Sequence, residues 1–330
     1  MHLSAPRKRG RYLRYIKIKN EQLCYTFFMK KGVIIGYGNM GETHANRFIQ
    51  LGQSISIVDP SRSRQQVAHS RGLSTFTSLS EVPFTPAFIS ICTPTYMHSE
   101  VISEAAKLKT MPLFIEKPVV RTNEEVSKMR ELYKEHRAPI FVGEGELFNA
   151  DLSAFHNYEG NPKHITISRD VDLDFFLQGS TPWFLKEELS GGIVLDLMIH
   201  DITLLMAKYG KPKIGNVFGK ASRYETTDYV HATLLFDGFS ASLHSSWTSE
   251  NKDAPIVATI DIEEHDGSQI QVVCDSYAIR DESDENDPFL REDKAFLKAI
   301  EENTAPYPLE LFLGAVEVAN EIRSKLASHN

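Results

Sequence analysis

Val33-Ile34-Ile35-Gly36-Tyr37-Gly38-Asn39-Met40-Gly41 decides the fold. Three apolar residues run into a G-x-G-x-x-G pattern, and a helical pattern follows over residues 41–50. Each glycine has its own task. Gly36 permits a tight turn, Gly38 lets the backbone approach a pyrophosphate, and Gly41 lets the helix pack closely on the strand. The helix start, with Tyr37, Asn39 and Met40 between the glycines, offers free N–H groups to an anion. Asp59 ends the next apolar run, Ser54 to Val58, where a carboxylate accepts hydrogen bonds from ribose hydroxyls. That carboxylate would repel a 2′-phosphate, which favours NAD over NADP; Arg62 and Arg64 would offset part of the charge.

Outward from this stretch, short apolar runs alternate with helical patterns from residue 32 to 143. Ala87 to Cys92, Pro112 to Ile115 and Pro139 to Val142 read as buried strands, with helices over about 97–109 and 122–135 between them. This rhythm is that of a doubly wound parallel sheet. After about residue 150 it changes. His164 to Ser168 alternates with period two, and β runs flank Asp237-Gly238 and Asp266-Gly267, the dipeptides that close hairpins. A helix is predicted over about 191–208, and two more close the chain at about 289–302 and 308–326. The expected architecture is α/β: residues 29–149 form a dinucleotide-binding domain and 150–330 an α+β domain on a mostly antiparallel sheet.

Composition narrows the function classes. With 330 residues, 42% hydrophobic and 24% charged, the chain has the make-up of a globular protein of about two domains. A net charge of −8 argues against a nucleic-acid surface, which needs clustered Lys and Arg. The spacing of Cys24, Cys92 and Cys274 suggests neither a zinc site nor a disulfide framework, and points to thiols in a reducing cytoplasm. No run of about 18 apolar residues exists, so no membrane span is expected. Residues 1–28 hold seven Lys/Arg and one acid, and Met29-Lys30-Lys31 directly precedes the first strand. The leader reads as a poorly ordered upstream extension without a catalytic role.

Three further constellations carry chemistry. Thr93-Pro94-Thr95-Tyr96-Met97-His98 stands at the carboxyl end of a sheet strand, where ligands bind in such sheets. Alone it reads equally as a strand stop and helix start, with His98 structural. Glu116-Lys117-Pro118 puts an amine at the same edge, its backbone kept extended by the proline; a surface lysine paired with Glu116 is the plain alternative. Asp196 and His200 stand at i and i+4 on a largely apolar helix, hence on one face. They serve either a reaction or each other as a satisfied buried pair. No companion ligands for zinc accompany them, and no metal is expected. Asp201 is turned about 100° from His200 and reads as structural or orienting.

With these residues in hand, the chain resembles the glucose–fructose oxidoreductase/inositol dehydrogenase/rhizopine catabolism (Gfo/Idh/MocA) family. The matching segments are the glycine loop, Thr93-Pro94 with His98, Glu116-Lys117-Pro118, and Gly191-Gly192-Ile193-Val194-Leu195-Asp196-Leu197-Met198-Ile199-His200-Asp201. The resemblance implies an N-terminal Rossmann domain and a C-terminal open-faced sheet that joins subunits into a homodimer or homotetramer. It implies reversible oxidation of a hydroxyl on a sugar, inositol or nucleotide-sugar, with NAD or NADP held by Gly36 to Gly41, Asp59, Arg64, Thr93, Pro94, His98 and Glu116. Lys117, Asp196 and His200 would be catalytic: His200 the general base, Lys117 the stabiliser of charge on the reacting oxygen, Asp196 the orienting group. A cis Lys117–Pro118 peptide is expected. Arg169 and Trp183 are candidate substrate contacts, Trp183 fitting core packing equally well. Glu144 and Glu146 stand where many relatives carry apolar or basic residues, which weighs against an anionic substrate. Two rivals share the scaffold: a biliverdin-reductase-like enzyme, and a regulatory protein that senses the dinucleotide without turnover.

Overall fold

The computed structural model of the protein describes residues 30–177, 182–274 and 285–328. The basic extension at 1–28, Met29, Cys24, Thr181 and the first part of the acidic stretch at 281–287 lie outside the described residues.

Six parallel strands form the first sheet: β1 Lys31–Ile35, β2 Ser54–Val58, β3 Ser74–Phe76, β4 Phe88–Ile91, β5 Leu113–Glu116 and β6 Ile140–Gly143, in the order β3-β2-β1-β4-β5-β6. Apolar residues fill both faces because helices Asn39–Gln50, Arg62–Ser70, Thr95–Ala105 and Asn123–Glu135 cover them. The last helix opens with a capping box, in which Thr122 and Glu125 satisfy each other's backbone N–H groups. The strand order reverses between β1 and β4, the switch point at whose carboxyl ends open α/β sheets bind ligands. β3 had no signal in the sequence; it is three residues long at a sheet edge.

The second sheet contains β7 Pro162–Val171, β8 Lys213–Lys220, β9 Tyr229–Leu235, β10 Ser240–Ser246, β11 Ile256–Glu264 and β12 Gln269–Cys274, in the order β12-β11-β7-β10-β9-β8. Both Asp-Gly hairpins form, β9–β10 and β11–β12, with Gly238 at φ 87° and Gly267 at φ 86°. They do not make a simple meander: β7 inserts between them, antiparallel to β11 and parallel to β10. β8 was also missed, since Gly215, Gly219 and a register shift between Ile214 and Val217 blur its alternation.

Helix Pro288–Glu302 returns to the first sheet. Phe296 enters an aromatic core, with ring centroids 5.4 Å from Phe88, 5.5 Å from Phe114 and 5.6 Å from Phe141. Helix Leu309–Ala327 packs against Ile199–Tyr209 and reaches Asn123–Glu135 through Arg130, which pairs with Glu310 and Glu317. The run Glu187–Tyr209 is long and apolar enough to cross a membrane by composition alone, but most of it is buried in the protein, as a core helix is. Cys92 and Cys274 are buried and free.

Candidate active site

The glycine loop has the space its residues predict. A Cβ on Gly41 would lie 2.0 Å from the Gly36 carbonyl oxygen, and one on Gly36, at φ +91°, 2.7 Å from that of Cys92. These two glycines let β1, β4 and the helix meet. At Gly38 no atom lies within 4 Å of an added Cβ. The loop therefore leaves an open cradle before the helix N-terminus, of the kind that admits a pyrophosphate. Asp59 accepts hydrogen bonds from Tyr37 N at 2.7 Å and Ser61 N at 2.8 Å, which fixes its carboxylate beside the loop with lone pairs to spare. Arg64 is half-buried in the first turn of the next helix.

Thr93 and Pro94 lead from β4 into helix Thr95–Ala105. His98 is buried, with Nδ1 2.9 Å from the Pro118 carbonyl oxygen and Nε2 2.8 Å from that of Thr93. It lies between the exits of β4 and β5; burial lowers its pKa, and the neutral ring has one N–H to donate to one of these two carbonyls. The Lys117–Pro118 peptide is cis. Glu116 turns inward: Oε1 meets His44 Nε2 at 2.6 Å and Oε2 accepts from Lys117 N at 3.2 Å. His44 Nδ1 meets Asp293 on the returning helix at 2.9 Å. Burial alone would push the His44 pKa down, but Asp293 and Glu116 outweigh it and keep the imidazole protonated. Glu292 joins His44 and Glu116 in a group whose ligand-type atoms lie within 4.8 Å of one another. Across the 2.6 Å contact the protonated imidazole donates to Glu116.

Lys117 instead points across to the second unit. Its Nζ donates to the Asp196 carbonyl oxygen at 2.8 Å and lies 3.5 Å from Asp196 Oδ1, both side chains partly open. The expected continuous helix begins irregularly: Gly191 and Gly192 take positive φ, Val194–Met198 is one π-helical stretch, and the α-helix runs over Ile199–Tyr209. Such π turns cluster at functional sites, and this one places the Asp196 carbonyl at the amine.

His200 is one turn on. Its Nδ1 meets Glu144 Oε1 at 2.5 Å, and its side chain keeps 16% exposure while that of Glu144 keeps 1%. Burial, then the charges of Lys117 and Arg169, hold the imidazole pKa well below its ordinary value, the form a general base requires. Burial raises Glu144 to about 7, against the pull of Lys117 and Arg169.

Arg169 is committed inside the protein. Nε and Nη2 donate to Asp201 Oδ1 at 3.0 and 2.7 Å, and Nη1 donates to Glu146, all three residues being buried. Its fork is taken by these carboxylates, which removes the anion-binding geometry expected of it toward substrate. Glu146 is likewise spent on this pair, and Asp201 has the structural place its angle on the helix implied. Trp183 packs edge-on against Tyr96, ring centroids 5.8 Å apart. The sequence reading missed the Glu144–His200 contact, although it noted Glu144 and Glu146 as acids after this strand; the partner of Glu144 lies 56 residues away.

Fold and site together define a nucleotide-binding oxidoreductase. Residues 30–144 match the model of an oxidoreductase family with an NAD-binding Rossmann fold, and residues 158–276 match the Gfo/Idh/MocA C-terminal domain. The chain belongs to the Gfo/Idh/MocA family, and its first domain has that family's NAD-binding Rossmann fold. Among curated proteins it is 25% identical over 222 residues to a UDP-N-acetylglucosamine 3-dehydrogenase of Acidithiobacillus ferrooxidans, covering 66% of this chain and 67% of that one. It is 30% identical over 190 residues to the uncharacterized oxidoreductase YrbE of Bacillus subtilis, spanning about half the length of each chain. Among solved structures, a myo-inositol 2-dehydrogenase from Lactobacillus plantarum superposes with a TM-score of 0.77 at 18% identity, over 92% of this chain and 98% of that one. GenD2 from gentamicin A biosynthesis, in complex with NAD, gives 0.76 at 17% identity, over 92% and 95%. At these identities the structural likeness speaks for the fold alone.

Proposed function

We propose that the protein is an NAD-dependent dehydrogenase that interconverts a secondary hydroxyl and a ketone on a sugar, an inositol or a nucleotide-sugar. The observation that carries this reading is the convergence of the Lys117 amine, the Asp196 carboxylate and a neutral His200 imidazole at the carboxyl edge of the NAD-binding sheet. NAD, when bound, supplies the hydride acceptor. Gly36 to Gly41 would cradle its pyrophosphate and Asp59 its ribose, near Arg64, Thr93 and Pro94.

His200 Nε2 takes the hydroxyl proton as the carbonyl forms, because Nδ1 already faces Glu144. Lys117, anchored on the Asp196 carbonyl, has further N–H groups to stabilise negative charge on the substrate oxygen. Asp196 orients a neighbouring hydroxyl. The buried pairing of Glu146 and Arg169 supports a neutral ring at the reacting end, while a nucleotide tail elsewhere on the substrate fits equally. A homo-oligomer contact on the open face of the second sheet is part of the same proposal, and light scattering tests it.

The deciding experiment mixes purified protein with NAD and a panel of inositols, aldoses and UDP-sugars, following nicotinamide absorbance. Reduction with one substrate class, lost in His200→Ala, is the expected result. Tight NAD binding without reduction across the panel would leave a substrate outside the panel or the dinucleotide sensor, and capture of a protein partner would then favour the sensor.

A further inference from the structure

The imidazole that must accept the substrate's proton is buried, and two cations press on it. Lys117 and Arg169 both make a protonated His200 unfavourable, so the ring by itself is a poor place for a proton to rest. Behind it lies a carboxylate that suits the task. Glu144 is 1% exposed, touches Nδ1 at 2.5 Å, and receives the backbone N–H of Glu146.

We propose that His200 and Glu144 work as one proton-accepting pair, with Glu144 the residue on which the substrate's proton equivalent is stored. This rests on the dehydrogenase reading above and deepens it. Before the reaction Glu144 is ionised, Nδ1 carries the ring proton and donates it to Glu144, and Nε2 faces the substrate with a lone pair. As hydride leaves the carbinol carbon for NAD, the hydroxyl O–H bond breaks and its proton bonds to Nε2. The Nδ1–H bond then breaks and that proton passes to Glu144 Oε1. The ring ends neutral in its other tautomer, Glu144 ends neutral, and the charge that left Glu144 balances the proton gained. No imidazolium has to persist beside Lys117. Glu144 acts through His200 and is a positioning and proton-holding residue; it does not touch substrate.

A purely orienting Glu144 makes a different forecast, and the ring tautomer separates the two. In protein labelled with ¹⁵N-histidine, with the His200 signals assigned by loss in His200→Asn, lowering the pH through the Glu144 ionisation should switch His200 from Nδ1–H to Nε2–H without passing through imidazolium. The midpoint should lie near the value of about 7 that burial gives Glu144. In Glu144→Gln the switch should vanish. Glu144→Asp, which keeps a carboxylate, should restore it at a shifted pH and guards against a folding defect in the glutamine variant. A single unchanging tautomer in the wild type, or a switch that survives Glu144→Gln, would overturn the proposal. These readouts need no substrate, so a failed activity panel bears on the function without touching the pair. Where the panel does yield a substrate, kcat for hydroxyl oxidation should rise with pH through the same midpoint. Glu144→Gln should lose that limb and on the order of 10²–10⁴-fold in kcat at neutral pH; an unchanged profile counts against the proposal.

Discussion

Arg169→Met removes the cation from a buried triad and leaves Glu146 and Asp201 facing each other with side-chain exposures of 2% and 0%. Three donated hydrogen bonds disappear with it, two to Asp201 and one to Glu146. Methionine fills much of the volume, so cavity formation is a minor part of the loss. Breaking one partner of a buried ion pair costs about 3–5 kcal/mol, because the remaining charges stay desolvated. With a urea m-value of about 3 kcal/mol per molar, the unfolding midpoint should fall by roughly 1–1.7 M. Burial already raises Asp201 to about 6 while Arg169 opposes the rise. Without the guanidinium Asp201 titrates higher still in the folded state.

The sign follows from linkage. A folded carboxyl whose pKa exceeds its unfolded value binds more protons folded than unfolded, so the variant gains stability as pH falls toward the unfolded pKa values near about 4. Its deficit against wild type should be largest at about pH 8 and smaller at about pH 5.5. Adding Glu146→Gln and Asp201→Asn to Arg169→Met should recover most of the loss, since no charge is then stranded. Equilibrium urea unfolding followed by tryptophan fluorescence reads all three forms. A single variant that loses less than about 1 kcal/mol, or as much at low pH as at high, would refute the stranded-charge argument.

The glycine loop offers a contrast between two methyl groups. Gly38→Ala should fold as wild type, the added Cβ having no neighbour within 4 Å, yet weaken NAD binding measured by calorimetry. Gly41→Ala should lower thermal stability as well, because its Cβ would lie 2.0 Å from a backbone oxygen. Phe296→Ala should cost about 3–5 kcal/mol in chemical unfolding, as a ring leaves an aromatic core that joins the returning helix to the first sheet. Lys117→Met should cost about 10²–10³ in kcat with NAD affinity kept within severalfold, as expected of a group that stabilises charge in the transition state.

What could be read from the sequence is what repeats locally. Five of the six parallel strands of the first sheet announce themselves as apolar runs, the hairpins as Asp-Gly, and the cofactor loop as glycines whose spacing follows from a turn, a cradle and a close approach. Lys117, Asp196 and His200 were legible because each sits inside a local motif. What was hidden depends on partners far along the chain. Arg169 looked like a substrate fork until the fold brought Asp201 and Glu146 to it from 32 and 23 residues away. Nor did the sequence show that Glu116 would meet His44, which comes from the glycine-loop helix 72 residues away. β8 and β3 escaped because glycines or brevity erased their periodicity. The π stretch escaped because backbone hydrogen bonds, rather than side-chain spacing, define it.

These hidden contacts share a geometry that bears on function. Two buried polar networks flank the edge where β5 and β6 deliver Lys117 and Glu144. On one side Glu116, His44 and Asp293 bind the exit of β5 to the glycine-loop helix and to helix Pro288–Glu302. On the other, Glu146, Arg169 and Asp201 bind the exit of β6 to β7 and to the helix that carries His200. Neither is an economical source of stability, since desolvating charge offsets most of the attraction. Each fixes direction, because a charge-assisted hydrogen bond weakens sharply when misaligned, whereas apolar packing tolerates a slide. The amine follows β5 and the imidazole sits on helix Ile199–Tyr209, and in the proposed reaction both meet one substrate oxygen. A polar network on each side of them is therefore where loss of a single carboxylate should lower kcat as well as stability.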